Sequence, residues 1–363
     1  MTNAPSTASA VHPRPSFRVA LTGDFFDASG QLRYRDIGLD LLADQPQISW
    51  DRFAVHHPEI APAQFADCQG AIVLSSKVTQ RSLEQADNLL AIGRFGVGFD
   101  SVDVTACTQQ DVALFITTGA VDWSVAEATV GWMLALTHHV RVKDRLVRDG
   151  RWDERSRWMG SELRDRTLGV IGFGGIGRAV VKLLQSFGMR TPLVFDPFLS
   201  AEQAEFCGVR LVSLDELLGE ADFVSLHCPL NEQTRSLLTA RELALMKPTA
   251  YLLNTARGGI VDESALLAAL SERRIAGAAL DCFVQEPLPT PSPFAELDNV
   301  LLAPHSIAWT DELFREIGRA AWRGMIELSR GRRPAGVVNP AVLEKPSFQA
   351  KWQRVLSEAT ASQ

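Results

Sequence analysis

Short apolar runs recur along the chain, with amphipathic or polar stretches between them. Runs bounded by turn residues read as buried strands. In the first third these are residues 17–22, 47–53, 70–74, 89–94 and 112–116. Later come 168–171, 192–195, 223–227, 250–254, 277–280 and 299–302. Residues 39–42, 102–107, 214–218, 241–246 and 262–272 read as helices, the last capped by Asp262. A long helix is expected over 311–330, returning to the first domain. Strands alternating with helices predict an α/β chain with parallel sheets. Residues 124–150 read as one long helix, with Ser124 as cap and Glu127 in capping-box position. The loop to Gly160 is rich in aromatic and charged residues. Such an arm either reaches across to a partner subunit or lies as a surface helix with a Trp-anchored loop; these residues alone leave both open. The tail, 331–363, contains prolines and shows little periodicity.

The most informative stretch is 167–196, TLGVIGFGGIGRAVVKLLQSFGMRTPLVFD. A buried strand turns through Gly172-Phe173-Gly174-Gly175-Ile176-Gly177 into an amphipathic helix carrying Val180, Val181, Leu183 and Leu184. Gly172 permits the tight turn. Gly174 lets a pyrophosphate approach the helix N-terminus, where N–H groups and the helix dipole favour anions. Gly177 lets helix and strand pack closely. Asp196 ends the next strand, where a carboxylate accepts hydrogen bonds from adenosine ribose hydroxyls. It would repel a 2′-phosphate, and no Arg or Lys follows in Pro197-Phe198-Leu199. The expected cofactor is therefore NAD rather than NADP. A second loop, Phe95-Gly96-Val97-Gly98-Phe99-Asp100, lacks the third glycine and reads as a backbone grip for a carboxylate.

Composition narrows the class. A chain of 363 residues, 46% hydrophobic and 22% charged, fits a soluble two-domain protein. The net charge of −7 argues against a general nucleic-acid surface. No apolar run is long enough for a membrane span. The opening MTNAPSTASAVHPRPS reads as a disordered tail rather than a signal peptide. The five cysteines, Cys68, Cys107, Cys207, Cys228 and Cys282, are odd in number and widely spaced without CxxC, so their spacing points to neither a zinc site nor a disulfide framework, and no metal is expected. A reducing cytoplasm is the expected location.

Ligands of open α/β sheets lie beyond the carboxyl ends of the strands. Gly172, Asp196, His227, Arg257, Asp281 and His305 fall there. Arg257, before Gly258-Gly259, can bind a carboxylate through two parallel N–H bonds; otherwise it is a salt bridge closing the sheet edge. His305 follows Pro304. Alone it would read as a satisfied structural histidine, but Glu286 can fix its tautomer and raise its basicity. The other ring nitrogen would then face substrate as acid or base. His227 more simply lines the cofactor crevice through its backbone. Together these residues point to hydride transfer between nicotinamide and C2 of a substrate held by its carboxylate.

The segments RFGVGFDSVD (94–103), VAE (125–127), TLGVIGFGGIGR (167–178), HCPLNEQT (227–234), MKPTAYLLNTARGGIVDESAL (246–266), AALDCFVQEP (278–287) and APHSIAWT (303–310) resemble the D-isomer-specific 2-hydroxyacid dehydrogenases, a family that includes hydroxypyruvate/glyoxylate reductases and phosphoglycerate dehydrogenases. The resemblance implies two Rossmann-like doubly wound parallel-sheet domains, the first discontinuous and flavodoxin-like. Residues 1–118 with 306–363 would bind substrate. Residues 119–305 would bind NAD and carry a dimerisation arm at about 124–160. Arg257, Glu286 and His305 match the catalytic residues. Gly174, Gly175, Ile176, Asp196, Thr255 and Asp281, with Thr129, match the family's cofactor contacts, and Gly172, Gly177, His227 and Pro229 complete the expected cofactor-binding set. Ser76, Lys77, Val97 and Gly98 fall on the substrate-carboxylate loops. Members are usually homodimers. A bulky Trp309 stands where the family has small residues, so it is expected to reshape the pocket mouth and contact substrate. Glu286 argues against the family's formate dehydrogenases, which carry Gln there. With only residues 331–363 after the last expected helix, an end-product-regulated serine-pathway enzyme is not expected. A second reading is an NAD(H)-sensing interaction protein of the corepressor type, which keeps the same triad.

Overall fold

Twelve strands form two wholly parallel sheets among the described residues, 17–361, of the computed structural model. The expected disordered tail, 1–16, lies outside them. The chain divides into two units. One holds the described residues up to Val121 and those from Asp311; the other is Asp122–Thr310.

The first unit contains β1 (Phe17–Leu21), β2 (Ile48–Arg52), β3 (Gly70–Val73), β4 (Ala91–Arg94) and β5 (Ala113–Ile116) in the order β2-β1-β3-β4-β5. This is the flavodoxin-like doubly wound order. Ala71, Val73, Ile92 and Leu114 join one buried cluster. On the sheet's other side the helix Asp311–Ser329 brings Met325 against Gly70 and Gly93. Residues beyond that helix cover the β5 edge. Val338 N–H donates to Leu114 O at 2.8 Å, and Asn339 Oδ1 accepts from Leu114 N–H at 2.8 Å.

The tail, 331–363, is regular over much of its length despite its prolines and weak periodicity. Pro346–Ala361 is a helix. Pro346 opens it at a position that tolerates the missing N–H, and Phe348, Trp352 and Val355 recur at helical spacing and are buried. Trp352 Nε1 donates to Leu328 O at 3.0 Å.

The second unit contains β6 (Leu168–Ile171), β7 (Leu193–Phe195), β8 (Arg210–Leu211), β9 (Phe223–Leu226), β10 (Tyr251–Asn254), β11 (Gly277–Leu280) and β12 (Val300–Leu302). Their order, β12-β11-β10-β9-β6-β7-β8, is the Rossmann arrangement with one further strand. Alternate residues enter opposite cores: Val224, Leu252, Ala278 and Leu280 one, Phe223, Leu253 and Ala279 the other. Burial on both faces explains why these strands are continuous apolar runs in the sequence. The order reverses between β6 and β9, which opens a crevice at their carboxyl ends.

The single helix expected over 124–150 is instead two, Asp122–Thr137 and Val140–Arg148. Ser124 therefore lies inside the first and does not cap it. Thr137 ends it: its carbonyl accepts from Ser161 N–H at 3.0 Å, its hydroxyl turns back to Met133 O at 2.9 Å, and His139 adopts φ +53°. A hydroxyl bonded to the preceding turn competes with helix propagation. The following loop contains a 3-10 turn, Trp152–Arg157. Among the described residues no helix is long and apolar enough to cross a membrane.

Candidate functional site

The second unit's site begins at the turn after β6. Gly172 adopts φ +91°, and a Cβ there would come within 2.6 Å of Cys228 N and 2.8 Å of the His227 carbonyl carbon. Only glycine lets the turn lie this close to the end of β9. The helix Gly175–Leu184 starts immediately after it, with Gly174 at its N-cap and no side chain capping it. Space beside Gly174 is open to 4 Å. Ile176 and Gly177 form the first turn. Open space over an uncapped helix N-terminus fits a pyrophosphate. Asp196 stands across the turn. Its two oxygens accept from Phe173 N–H at 2.7 Å and Phe198 N–H at 2.8 Å, and each retains a lone pair for a ribose hydroxyl.

Other expected cofactor residues gather around this crevice. Thr129 and Thr255 approach through their hydroxyls at 3.5 Å, and Thr129 Oγ1 also donates to Val125 O at 2.8 Å. His227 follows β9, with Nε2 2.8 Å from Ser225 Oγ. Burial pushes its pKa from 6.5 down to about 4. Pro229 is two residues on, its carbonyl accepting from Thr234 Oγ1 at 2.6 Å. Asp122 packs against Gly175, and burial raises its carboxyl above the usual range.

Glu286 and His305 meet at adjacent strand ends. His305 Nδ1 lies 2.8 Å from Glu286 Oε2, and the carboxylate's other oxygen accepts from Phe283 N–H at 2.9 Å. Burial pushes Glu286 up. The bonds from His305 and Phe283 N–H and the charges of His305 and Arg257 outweigh it, so its pKa falls below 4.5. His305 is placed by its backbone, at φ +54° with its N–H donating to Asp281 O at 2.9 Å. Asp281 Oδ1 accepts from Ser306 N–H at 2.9 Å and Ile307 N–H at 3.1 Å, which fixes the segment carrying the imidazole. Burial nevertheless raises Asp281 above the usual range, against these two bonds.

Arg257 lies on the loop after β10. Asn254 ends that strand and holds the loop: its amide donates to Arg257 O at 2.8 Å and its oxygen accepts from Ala256 N–H at 3.0 Å. Next to Arg257, a Cβ on Gly258 would overlap the backbone of Phe283 and Val284. The Arg257 loop is thus pressed against the turn that carries Glu286. Trp309 is 52% exposed, four residues beyond His305.

The remaining expected residues belong to the first unit. Ser76 is buried and its hydroxyl donates to His57 O at 2.9 Å, so it shapes the loop after β3, while Lys77 is exposed. Val97 and Gly98 follow β4, and their N–H groups meet no protein acceptor among the described residues. Two residues escaped the sequence reading. Asn254 was legible only as a polar residue at a strand end. Cys282 stood inside a quoted segment, but the spacing of the cysteines gave no hint that the fold sets it beside Glu286 and His305.

Residues 130–306 match the family model described as D-isomer specific 2-hydroxyacid dehydrogenase, NAD binding domain. The D-3-phosphoglycerate dehydrogenase of Methanocaldococcus jannaschii is 42% identical over 285 residues, covering 78% of this chain and 54% of its own. The glyoxylate reductase of Thermofilum pendens is 39% identical over 278 residues, 75% of this chain and 81% of its own. Among solved structures, a glyoxylate reductase from Paecilomyes thermophila superimposes with a TM-score of 0.76 at 26% identity, covering 90% of this chain and 99% of that one. The chain spans about half the length of the phosphoglycerate dehydrogenases it matches.

Proposed function

The chain belongs to the D-isomer-specific 2-hydroxyacid dehydrogenase family, and from that premise we propose that it is an NAD-dependent oxidoreductase acting on a small D-2-hydroxyacid or 2-ketoacid, with His305 as its acid and base. The 2.8 Å contact between His305 Nδ1 and Glu286 carries this reading. It fixes the tautomer with the proton on Nδ1 and leaves Nε2 for the substrate. A bound nicotinamide supplies or accepts the hydride at C2. In oxidation His305 Nε2 takes the C2 hydroxyl proton, and in reduction it returns one. Glu286, anionic below the ordinary carboxyl range, stabilises the imidazolium formed on the way. Arg257 holds the substrate carboxylate by paired N–H bonds; Ser76, Lys77, Val97 and Gly98 are the substrate-binding residues of the first unit, with Ser76 setting the loop that carries Lys77. Trp309 bounds the substrate pocket. In this reading the first unit binds substrate and the second binds NAD.

Hydroxypyruvate and glyoxylate are the first substrates to test, followed by small sugar acids. NADH oxidation with a panel of 2-ketoacids should show turnover, and His305→Ala should lower kcat by about 10²–10⁴-fold, the usual worth of a positioned acid or base. No turnover with any ketoacid, or an unimpaired variant, overturns the proposal. NADH is the preferred cofactor because a 2′-phosphate would meet the Asp196 carboxylate. We also propose a cytoplasmic homodimer paired through the arm after Val121.

A further inference from the structure

Cys282 has no part in the chemistry above, yet the fold places it beside two groups that do. Cys282 Sγ, a carboxylate oxygen of Glu286 and a ring nitrogen of His305 lie within 4.8 Å of one another. They converge because β11 and β12 are parallel neighbours with Leu280 opposite Leu302, so the residues just beyond each strand emerge side by side. Glu286 returns over them through the turn that Phe283 N–H closes. The cluster has an inner and an outer side: Cys282 is 3% exposed, while the side chains of His305 and Glu286 are 44% and 35% exposed.

A thiolate, an imidazole and a carboxylate form a three-ligand set for tetrahedral Zn²⁺ with a fourth position left for water. Mg²⁺ and Ca²⁺ favour all-oxygen sets, and the sulfur and nitrogen here select the softer ion. With Zn–S near 2.3 Å and Zn–N or Zn–O near 2.0–2.2 Å, donors sharing one ion stand about 3–4 Å apart. Changes of side-chain rotamer cover the difference. We propose that Cys282, Glu286 and His305 form a Zn²⁺ site, and that Zn²⁺ bound there inhibits the enzyme by occupying the imidazole. On binding, the Cys282 thiol releases its proton to solvent and exchanges its 3.4 Å contact with Ala256 O for the metal. His305 likewise gives up its hydrogen bond to Glu286, and the proton on Nδ1 passes to Nε2, so the metal-bound ring has no base nitrogen left for the substrate. The inhibition half rests on the function proposed above; the binding half does not.

The test is calorimetric titration of the 363-residue chain with Zn²⁺, alongside Co²⁺ absorption spectra. Wild type should bind one equivalent of Zn²⁺ at this site, show a thiolate-to-Co²⁺ charge-transfer band and ignore Mg²⁺. Cys282→Ala should bind Zn²⁺ at least about tenfold more weakly, lose the band and keep its ketoacid turnover without added metal. Cys282→Val, which fills the same space, replaces it if the alanine variant does not fold. No Zn²⁺ binding by wild type, or affinity changed by less than about twofold in the variant, overturns the site. Full turnover by His305→Ala would instead overturn the inhibition half and leave the calorimetric result to decide the binding half.

Discussion

At His227, Nε2 meets Ser225 Oγ at 2.8 Å while Nδ1 is enclosed with no protein partner among the described residues. With its pKa pushed to about 4 by burial, the ring stays neutral in the fold where an unfolded histidine, near 6.5, takes up a proton. Between these values the unfolded state binds more protons, so stability falls as pH is lowered from 6.5 toward 4. His227→Gln keeps a polar group toward Ser225 but does not titrate. It should lose less stability than wild type across that window in urea unfolding, and equal losses would show that His227 is not responsible. The cofactor preference proposed above is tested at the same scale. Asp196→Ala removes the repulsion of a 2′-phosphate and should raise the ratio of NADPH to NADH efficiency; an unchanged ratio in steady-state kinetics would remove Asp196 from cofactor selection.

Between elements, Gly258 joins the loop after β10 to the turn after β11. A methyl group there overlaps the backbone of Phe283 and Val284, so one loop must move away from the other. Gly258→Ala should therefore raise KM for the ketoacid and lower kcat, because Arg257 and Glu286 sit on the two loops that separate. Stability to urea should drop by about 1–3 kcal/mol, and wild-type kinetics would show the contact to be dispensable. Apolar runs located every strand except β8, whose two residues, Arg210 and Leu211, lie at the sheet edge and carry no pattern. The C-terminal helix was missed because prolines punctuate the segment, although Pro346 begins the helix rather than breaking it. The break at Thr137 was hidden because it depends on the distant Ser161 N–H. At the site, residue type and strand-end position were enough to single out Asp196, Arg257, Glu286 and His305 as candidates. The nearness of Cys282 and the clamp at Asn254 follow from strand register and loop path, which no linear spacing encodes.

For the whole molecule, the arm after Val121 carries Trp123, Val140, Val147, Trp152 and Met159, each at least half exposed. Exposed apolar groups concentrated on this stretch support the pairing proposed above. The expected particle is a dimer: light scattering should give the mass of two chains, and Val147→Asp with Trp152→Asp should shift it toward one. A monomeric wild type at micromolar concentration would refute the pairing. The first unit has a different kind of incompleteness. Its sheet is made early in the chain, but Met325, the cover of the β5 edge and the anchor at Trp352 are all encoded after the entire second unit. On the ribosome, the half that begins first must finish last. The second unit can close its own sheet as it emerges, while the first waits with one face bare, open to chaperones, until the C-terminal helices arrive.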